Sequence, residues 1–521
     1  MGKIARLNFE CNVAEDEKDF LTRSKGFVTT RVYTQLTKGH ASLIVGRKGS
    51  GKTALRLGYV EHGKTLACPV QDISLDGLDQ NQFFSHIKAV QNVCEVTPTI
   101  LLRNIWRLFI GIRLMSAIRS SGAIGPAWSD PTHSAKLQHC KDFLELFESH
   151  KEIPHAGKIT ILHIAEYCRN HIDDFLKTSP AADIPDYFPT TKHYLDTERG
   201  LFEVLQAHKG AIVIFDDLDP WVERAPFDMV KAFAHGLIEA IRLLRATYEQ
   251  MPVDVKCMLP TIVVDDPSFY NRDKKTQGYI PLRWNSPALK NMVARRIAIA
   301  LNLRKHGQFI QDAENVLHQV FPDDMFVPDY WQRPLPPFNY IMLHSQYTPR
   351  DVLFCLQAIR NSALKRDADA GTFTRRDIYE GVSASTGEAA LRVLNEYSLR
   401  CPHIGQIMAE FAGSSAALRY RDAVERIQGI ATKSGSARSS DDAIEMLQLL
   451  YEAGFLGKYV QKKYHDQPAS GKVNWKLQFS FAHSAPKFSQ KDDLVIHPMF
   501  WNEYLIEPPR EPITTISEPL A

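Results

Sequence analysis

The sequence predicts an α/β fold: a parallel sheet set among helices, a helical second half, and a helix followed by a hairpin at the end. Three observations predict it. Short apolar runs at 41–46, 211–215 and 255–259 have the length and composition of buried strands. Long stretches of helical spacing separate them, and strands joined that way pair in parallel. The 521 residues, at roughly 100 to 200 per domain, allow two to four domains with their own cores.

In chain order, Ala-Ser-Leu-Ile-Val-Gly at 41–46 is an apolar run ending in glycine. A Gly-rich turn and a helix-compatible stretch over 52–61 follow, giving strand, loop, helix. From about 78 to 205 the pattern is helical, with Leu101, Leu102, Ile105, Leu108, Phe109, Ile112 and Met115 at spacings of three and four, and we expect a helical insertion. Within it, 120–132 and 178–191 read as loops. The second strand, 211–215, lies between Lys209-Gly210 and Asp216-Asp217, and the third lies around 255–259. From 286 the chain is helical again, over 288–303 and 349–366, with a proline-rich connector at 333–338. A Ser/Gly-rich piece at 432–440 precedes a helix over 441–453, then Gly454 and strands near 473–481 and 494–500, the order of a winged-helix module. The expected divisions are a sheet core over 1–285, a helical subdomain over 286–390 and a winged-helix-like end over 391–521. There is no internal repeat.

Composition narrows the class. Hydrophobic residues are 44%, charged residues 23%, with 28 Gly and 29 Pro, which excludes a collagenous, mucin-like or wholly disordered chain. Lys+Arg 62 against Asp+Glu 60 gives +2, so any surface for nucleic acid must be local. Apolar runs such as 211–215 and 297–301 fall far below the roughly 18 to 20 residues of a membrane span. The first six residues carry neither a signal-peptide core nor a myristoylation pattern. Eight cysteines without a CxxC pair fit reduced thiols. A cytoplasmic protein with no membrane partner is expected.

The chemistry concentrates in two places. Gly46-Arg47-Lys48-Gly49-Ser50-Gly51-Lys52-Thr53 fits G-x-x-x-x-G-K-[ST] at every defined position, after a strand and opening a helix. Glycines let backbone N–H groups wrap phosphates, Lys52 neutralises the β and γ oxygens, and Thr53 offers a hydroxyl to Mg²⁺. The following helix directs its positive end at the same anion, so Gly46, Lys48, Gly49, Ser50, Gly51, Lys52, Thr53 and Ala54 form the expected ATP site. Mg²⁺ needs a carboxylate on a neighbouring strand, and the run 211–215 followed by Asp216-Asp217 supplies one. Asp216 is the expected Mg²⁺ ligand beside Thr53. Asp217 is then placed to orient or deprotonate the attacking water. Asp219 and Trp221 read equally well as a helix cap and a packing aromatic.

Other features divide between chemistry and structure. Thr261, at the end of the third strand, is either a sensor of the γ-phosphate or an ordinary turn residue. Arg350 opens the helix 349–366 and either reaches a nucleotide's phosphates or pairs with Asp351 or Asp377. Between His133 and His171, eight His and Cys residues crowd together at gaps that match no standard zinc finger. From Lys458 to Lys491, seven lysines (458, 462, 463, 472, 476, 487, 491) face one acid, Asp466. That basic wing either grips DNA or RNA or solubilises a hairpin edge.

The motifs at 46–53, at 215–219 (Phe-Asp-Asp-Leu-Asp), from Pro281-Leu282-Arg283-Trp284 to Arg296, at 348–351 and at 496–500 together resemble a bacterial group of P-loop ATPases at the boundary of the AAA+ and STAND classes, with an origin-recognition-type layout. The resemblance implies an AAA+-like core, a helical lid carrying a sensor arginine at Arg350, and a C-terminal winged helix. It also implies ATP and Mg²⁺ as ligands, homo-oligomers, and a switch ATPase that regulates a separately encoded effector in antiphage defence or prophage loci. STAND relatives tend to carry an arginine after the third strand, where this chain has Pro260-Thr261. Arg224, Arg295 and Arg296 are candidates for an arginine finger. Two other functions stay open: a DNA-binding initiator- or repair-type ATPase, and a non-hydrolysing, ATP-bound oligomeric scaffold.

Overall fold

A strand buried on both faces of a parallel sheet must be apolar along its length, and Ala211–Asp216 is buried at every position. The computed structural model that shows this describes the chain apart from residues 1, 11–13, 23–25, 40–41, 67, 95, 121–130, 152, 155–157, 173–191, 208–209, 249, 267–278, 306–307, 323–326, 329–333, 399, 434–439, 462–474, 482–487, 490, 510–514 and 517–521. The expected loops at 120–132 and 178–191 fall mostly outside the described residues. Two compact units are present: Arg31–Lys48 with Lys52–Pro281, and Met1–Thr30 with Gly49–Gly51 and Leu282–Ala521. The first thirty residues, which the sequence reading puts with the sheet, thus cluster with the C-terminal half. So do Gly49–Gly51.

The first unit holds a five-stranded parallel sheet of β1 (Leu43–Gly46), β2 (Val70–Ser74), β3 (Ala211–Asp216), β4 (Val253–Pro260) and β5 (Tyr279–Pro281), in the order β2-β3-β4-β1-β5. Gly46 pairs with Pro260 in register and Ser74 with Asp216, so the C-terminal ends of β1, β4, β3 and β2 form one edge. Strands β2 and β5 escape the sequence reading because both lie at the sheet's margins, where half-exposed residues such as Gln71 and Asp72 break the apolar run.

The stretch expected as an insertion supplies part of the core. Helix Pro98–Ser120 buries all seven residues of the expected stripe, from Leu101 to Met115. Its Trp106 packs edge-on to Phe215 of β3, at 5.0 Å between ring centroids, and donates from Nε1 to the Phe233 carbonyl on helix Phe227–Thr247 at 3.1 Å. These helices therefore form a layer on the sheet. The sequence cue for that role is the uninterrupted apolar face, which a solvated appendage would lack.

The second unit contains helix Ser286–Ala300, capped by Asn285 accepting from the Ala288 N–H at 2.9 Å, and helix Pro349–Arg366, capped by Thr348 accepting from Asp351 at 3.1 Å. Further on, a five-stranded sheet runs in the order Ala417–Arg419, Asp493–Ile496, Leu456–Gln461, Trp475–Gln478, Thr515–Ile516, antiparallel except for its last pair. Helices Tyr420–Lys433 and Ser440–Glu452 precede the hairpin. The central strand Leu456–Gln461 is absent from the sequence reading because Gly457, Lys458 and Gln461 interrupt its hydrophobic pattern. The strand expected over 494–500 stops at Ile496. Pro498 has no N–H for a ladder, and Pro498–Phe500 instead forms a 3₁₀ turn with His497 Nδ1 accepting from Met499 at 3.1 Å.

Among the described residues no helix is long and apolar enough to cross a membrane.

Candidate active site

The Gly-rich sequence 46–53 stands at the end of β1, where a chain leaving a buried strand must turn within a few residues to enter helix Lys52–Thr65. Gly49 and Gly51 make that turn with φ of +82° and +90°, left-handed values that glycine alone adopts without strain. Left-handed residues alternating with others turn successive N–H groups to one side, the arrangement of an anion nest. A Cβ built on Gly49 would meet Arg350 Cβ at 2.8 Å, so this position has no room for a side chain either. Ser50 is 3% exposed, and among the described residues its hydroxyl has no hydrogen-bond partner. A buried hydroxyl without a partner calls for an acceptor, and a phosphate oxygen is one.

Lys52 is buried. Its Nζ donates to the carbonyls of Gly46 at 2.9 Å and Arg47 at 3.2 Å, and pairs with the Asp219 carboxylate at 2.8 Å. Lys48 pairs with Glu223 one helical turn further on. Asp219–Arg224 is a short helix immediately after β3, so one segment holds both lysines of the loop. Asp219 is therefore neither the cap nor idle: Leu218 precedes the helix, and the Asp219 side chain occupies Lys52. Trp221 is the packing aromatic, fully buried, stacked on Phe233 at 4.4 Å and donating to the Leu75 carbonyl at 3.0 Å.

The acidic pair ends β3, separated from the loop strand by β4 alone. Asp216 is 2% exposed and its Oδ2 lacks a hydrogen-bond partner among the described residues. Burial, and then the charge of Asp217, hold the Asp216 carboxyl well above the ordinary range, against the pull of Arg56 and Lys52. Asp217 has φ of +69°, a left-handed turn that throws its side chain off the strand line, and Ser74 Oγ donates to its Oδ2 at 2.5 Å. Burial raises this carboxyl too, opposed by the Ser74 hydrogen bond and Arg56. Two raised carboxyls side by side want positive charge, and Asp216 is the one with a carboxylate oxygen left for a divalent cation.

Arg56, which no sequence motif marks, lies one turn beyond Lys52 on the loop helix. It is 4% exposed, with Nη1 at 3.1 Å from Asp72 Oδ1 and 3.9 Å from Asp217 Oδ2, and Nε at 3.6 Å from Asp216 Oδ2. The only sequence signal is its helical spacing from Lys52, which puts it on the same face.

In the second unit, Asp351 and Asp377, the expected surface partners of Arg350, pair with other arginines. Asp377 pairs with Arg366 at 2.8 Å and Asp351 with Arg392 at 3.2 Å. Arg350 instead lies along Gly49, its backbone N–H donating to the Gly49 carbonyl at 3.3 Å. Of the finger candidates, Arg296 is buried in a two-pronged pair with Glu17 and Arg295 lies over the Phe309 ring, while Arg224 is exposed. Thr261 begins the short helix Thr261–Val264 after β4.

The weaker constellations resolve toward structure. Among the described residues no three of the His and Cys side chains between 133 and 171 come within reach of one metal ion; His150 and His171 pack ring to ring at 4.6 Å. Lys458 is no solvated wing residue. It is 7% exposed, paired with Asp492 at 2.7 Å and set over the Phe488 ring. Lys462, Lys463, Lys472 and Lys487, and the side chain of Lys476, lie outside the described residues.

No protein-family model matches the chain, and no curated protein matches it. Among solved structures it is similar to the Walker-type ATPase of Pyrococcus abyssi, at 12% identity over 87% of this chain and 95% of that one, with a TM-score of 0.34. It is also similar to a chain in the structure of Drosophila ORC bound to DNA, at 8% identity over 96% of this chain and 92% of that one, with a TM-score of 0.27.

Proposed function

We propose that the chain binds ATP with Mg²⁺ on the loop 46–53 and hydrolyses it. One observation carries this reading: buried Lys52, which opens the helix following β1, and the Asp216–Asp217 pair at the end of β3 stand at the same end of the sheet, their strands separated by β4 alone. Lys52 neutralises the β and γ oxygens, the N–H groups from Gly49 to Thr53 donate to them, and Ser50 gives its hydroxyl. Thr53 and Asp216 hold Mg²⁺, which offsets phosphate charge when bound. Asp217 accepts the proton of the attacking water as that oxygen bonds to the γ phosphorus. The bond from phosphorus to the bridging oxygen breaks, leaving ADP and phosphate.

The wider reading is a switch. Arg350, held along the loop at Gly49, is the sensor of a helical lid over 286–390, so loss of the γ-phosphate changes what it contacts. The order strand, two helices, hairpin over 417–478 supports a winged helix as the output surface. Regulation of a separately encoded effector in antiphage defence is the role that the resemblance of the motifs at 46–53, 215–219, 281–296, 348–351 and 496–500 implies.

Phosphate release from ATP with and without Mg²⁺ tests the enzymatic reading. Turnover that requires Mg²⁺ is expected; no nucleotide binding at all would refute it, and ATP held without turnover would favour the scaffold. The regulatory part is tested by recovering the neighbouring gene's product in ATP, ADP and nucleotide-free buffer. Recovery must differ, because a partner that binds all states equally shifts nothing.

A further inference from the structure

Gly49–Gly51, the turn of the phosphate loop, is tied down from residues far along the chain within the second unit. Trp284 Nε1 donates to the Ser50 carbonyl at 2.7 Å, and the Arg350 N–H donates to the Gly49 carbonyl at 3.3 Å. Trp284 is 9% exposed, and a Cβ built on Gly51 would stand 3.8 Å from its Cζ2 and from Pro349 Cγ, so the indole lies flush against the loop.

A trans peptide is planar, so the C=O of one residue and the N–H of the next point in opposite directions. Fixing the Ser50 carbonyl on the indole therefore fixes the Gly51 N–H on the other side. Fixing the Gly49 carbonyl on Arg350 does the same for the Ser50 N–H. With left-handed Gly49 and Gly51 flanking Ser50, these two N–H groups belong to the concave side of the nest. A glycine-rich turn left to itself has many conformations, and holding one of them before the anion arrives removes that ordering cost from binding.

We propose that Trp284 is a positioning residue for phosphate binding, its indole N–H holding the Ser50 carbonyl outward so that the Gly51 and Ser50 N–H groups face the nucleotide's phosphates. The inference rests on the reading of this loop as a nucleotide site. It goes beyond it by assigning the loop's preorganisation to a side chain outside the motif. The nest is offered to diphosphate and triphosphate alike, and equally before and during reaction.

The test is Trp284→Phe, which keeps an aromatic and removes the donor. Binding of MgADP and of MgATP should weaken by about the same factor, roughly tenfold for one lost hydrogen bond to an ordered loop. KM for ATP should rise alike while kcat stays within about twofold, the signature of lost uniform binding. Unchanged affinity in a protein whose wild type binds both nucleotides overturns the inference alone, as does a fall in kcat with KM constant. Wild-type protein that binds neither nucleotide overturns the inference and the function together. Should the variant not fold, exchange of the Trp284 indole N–H in ¹⁵N-tryptophan-labelled wild type decides: slow exchange supports the tether, and exchange as fast as an exposed indole rejects it.

Discussion

Lys52 Nζ sits 2.8 Å from the carboxylate of Asp219, three residues past the end of β3. In the proposed nucleotide site this ammonium meets the phosphates, so the side chain that holds it must give way when they arrive. Asp219 is about a quarter exposed, so the pair contributes on the order of 1 kcal/mol. Asp219→Asn should therefore bind ADP more tightly, by roughly fivefold. Titration with a fluorescent ADP measures it, and weaker binding would mean that Asp219 acts with the nucleotide bound.

The loop lysine and the second aspartate should separate cleanly. Lys52→Ala removes the main side-chain cation from the β and γ phosphates and should abolish binding and turnover together. Asp217→Asn keeps Asp216 for Mg²⁺ and should hold ATP while hydrolysis slows by about 10² or more, the usual size of a lost general base. Equal loss of affinity in both variants would show the roles of the two aspartates to be misassigned.

Arg56 is the counter-charge of three carboxylates, Asp72, Asp216 and Asp217. Arg56→Met takes a cation within 4 Å from buried Asp216 and half-buried Asp217, and removing one partner of a buried pair typically costs about 3 kcal/mol. Thermal unfolding should show the loss in EDTA and a smaller one with Mg²⁺ and ADP, because a divalent cation beside Asp216 replaces part of the missing charge. A deficit of the same size in both buffers would argue that Arg56 serves packing alone.

What the sequence discloses follows from what each feature needs. The run 211–215 is legible because both faces of β3 are buried and every position must be apolar. The glycines are legible because φ at Gly49 and Gly51 excludes other residues. The helix Pro349–Arg366 is legible to the residue because a cap, a proline and a stripe coincide. Pairings are another matter. Arg56 with Asp216, Lys458 with Asp492 and Trp284 with Ser50 join residues 34 to 234 apart, and no local pattern states which charge or donor will face which. The basic wing misleads at Lys458 for that reason: the acid that occupies it lies just beyond the lysine run.

His344 gives the C-terminal unit an acid-sensitive core. Its Nδ1 is 2.9 Å from the Tyr340 carbonyl, which only accepts, so that nitrogen carries a proton and donates even in the neutral ring. Burial pulls the pKa down from the ordinary 6.5 to about 4, with the Tyr340 hydrogen bond opposing. The folded state therefore keeps a neutral ring where the unfolded chain takes up a proton. Between 6.5 and 4 the unfolded state binds more protons, and stability falls as pH falls through that window and is flat above it. By pH 5 the loss should reach about 2 kcal/mol. His344→Asn retains a donor for Tyr340 but cannot titrate, so its urea midpoint should drop less than the wild type's between pH 7 and pH 5. The raised carboxyls at Asp216 and Asp217 are common to both proteins and cancel in that difference. Parallel pH profiles for the two proteins would mean that His344 is protonated in the fold as readily as outside it.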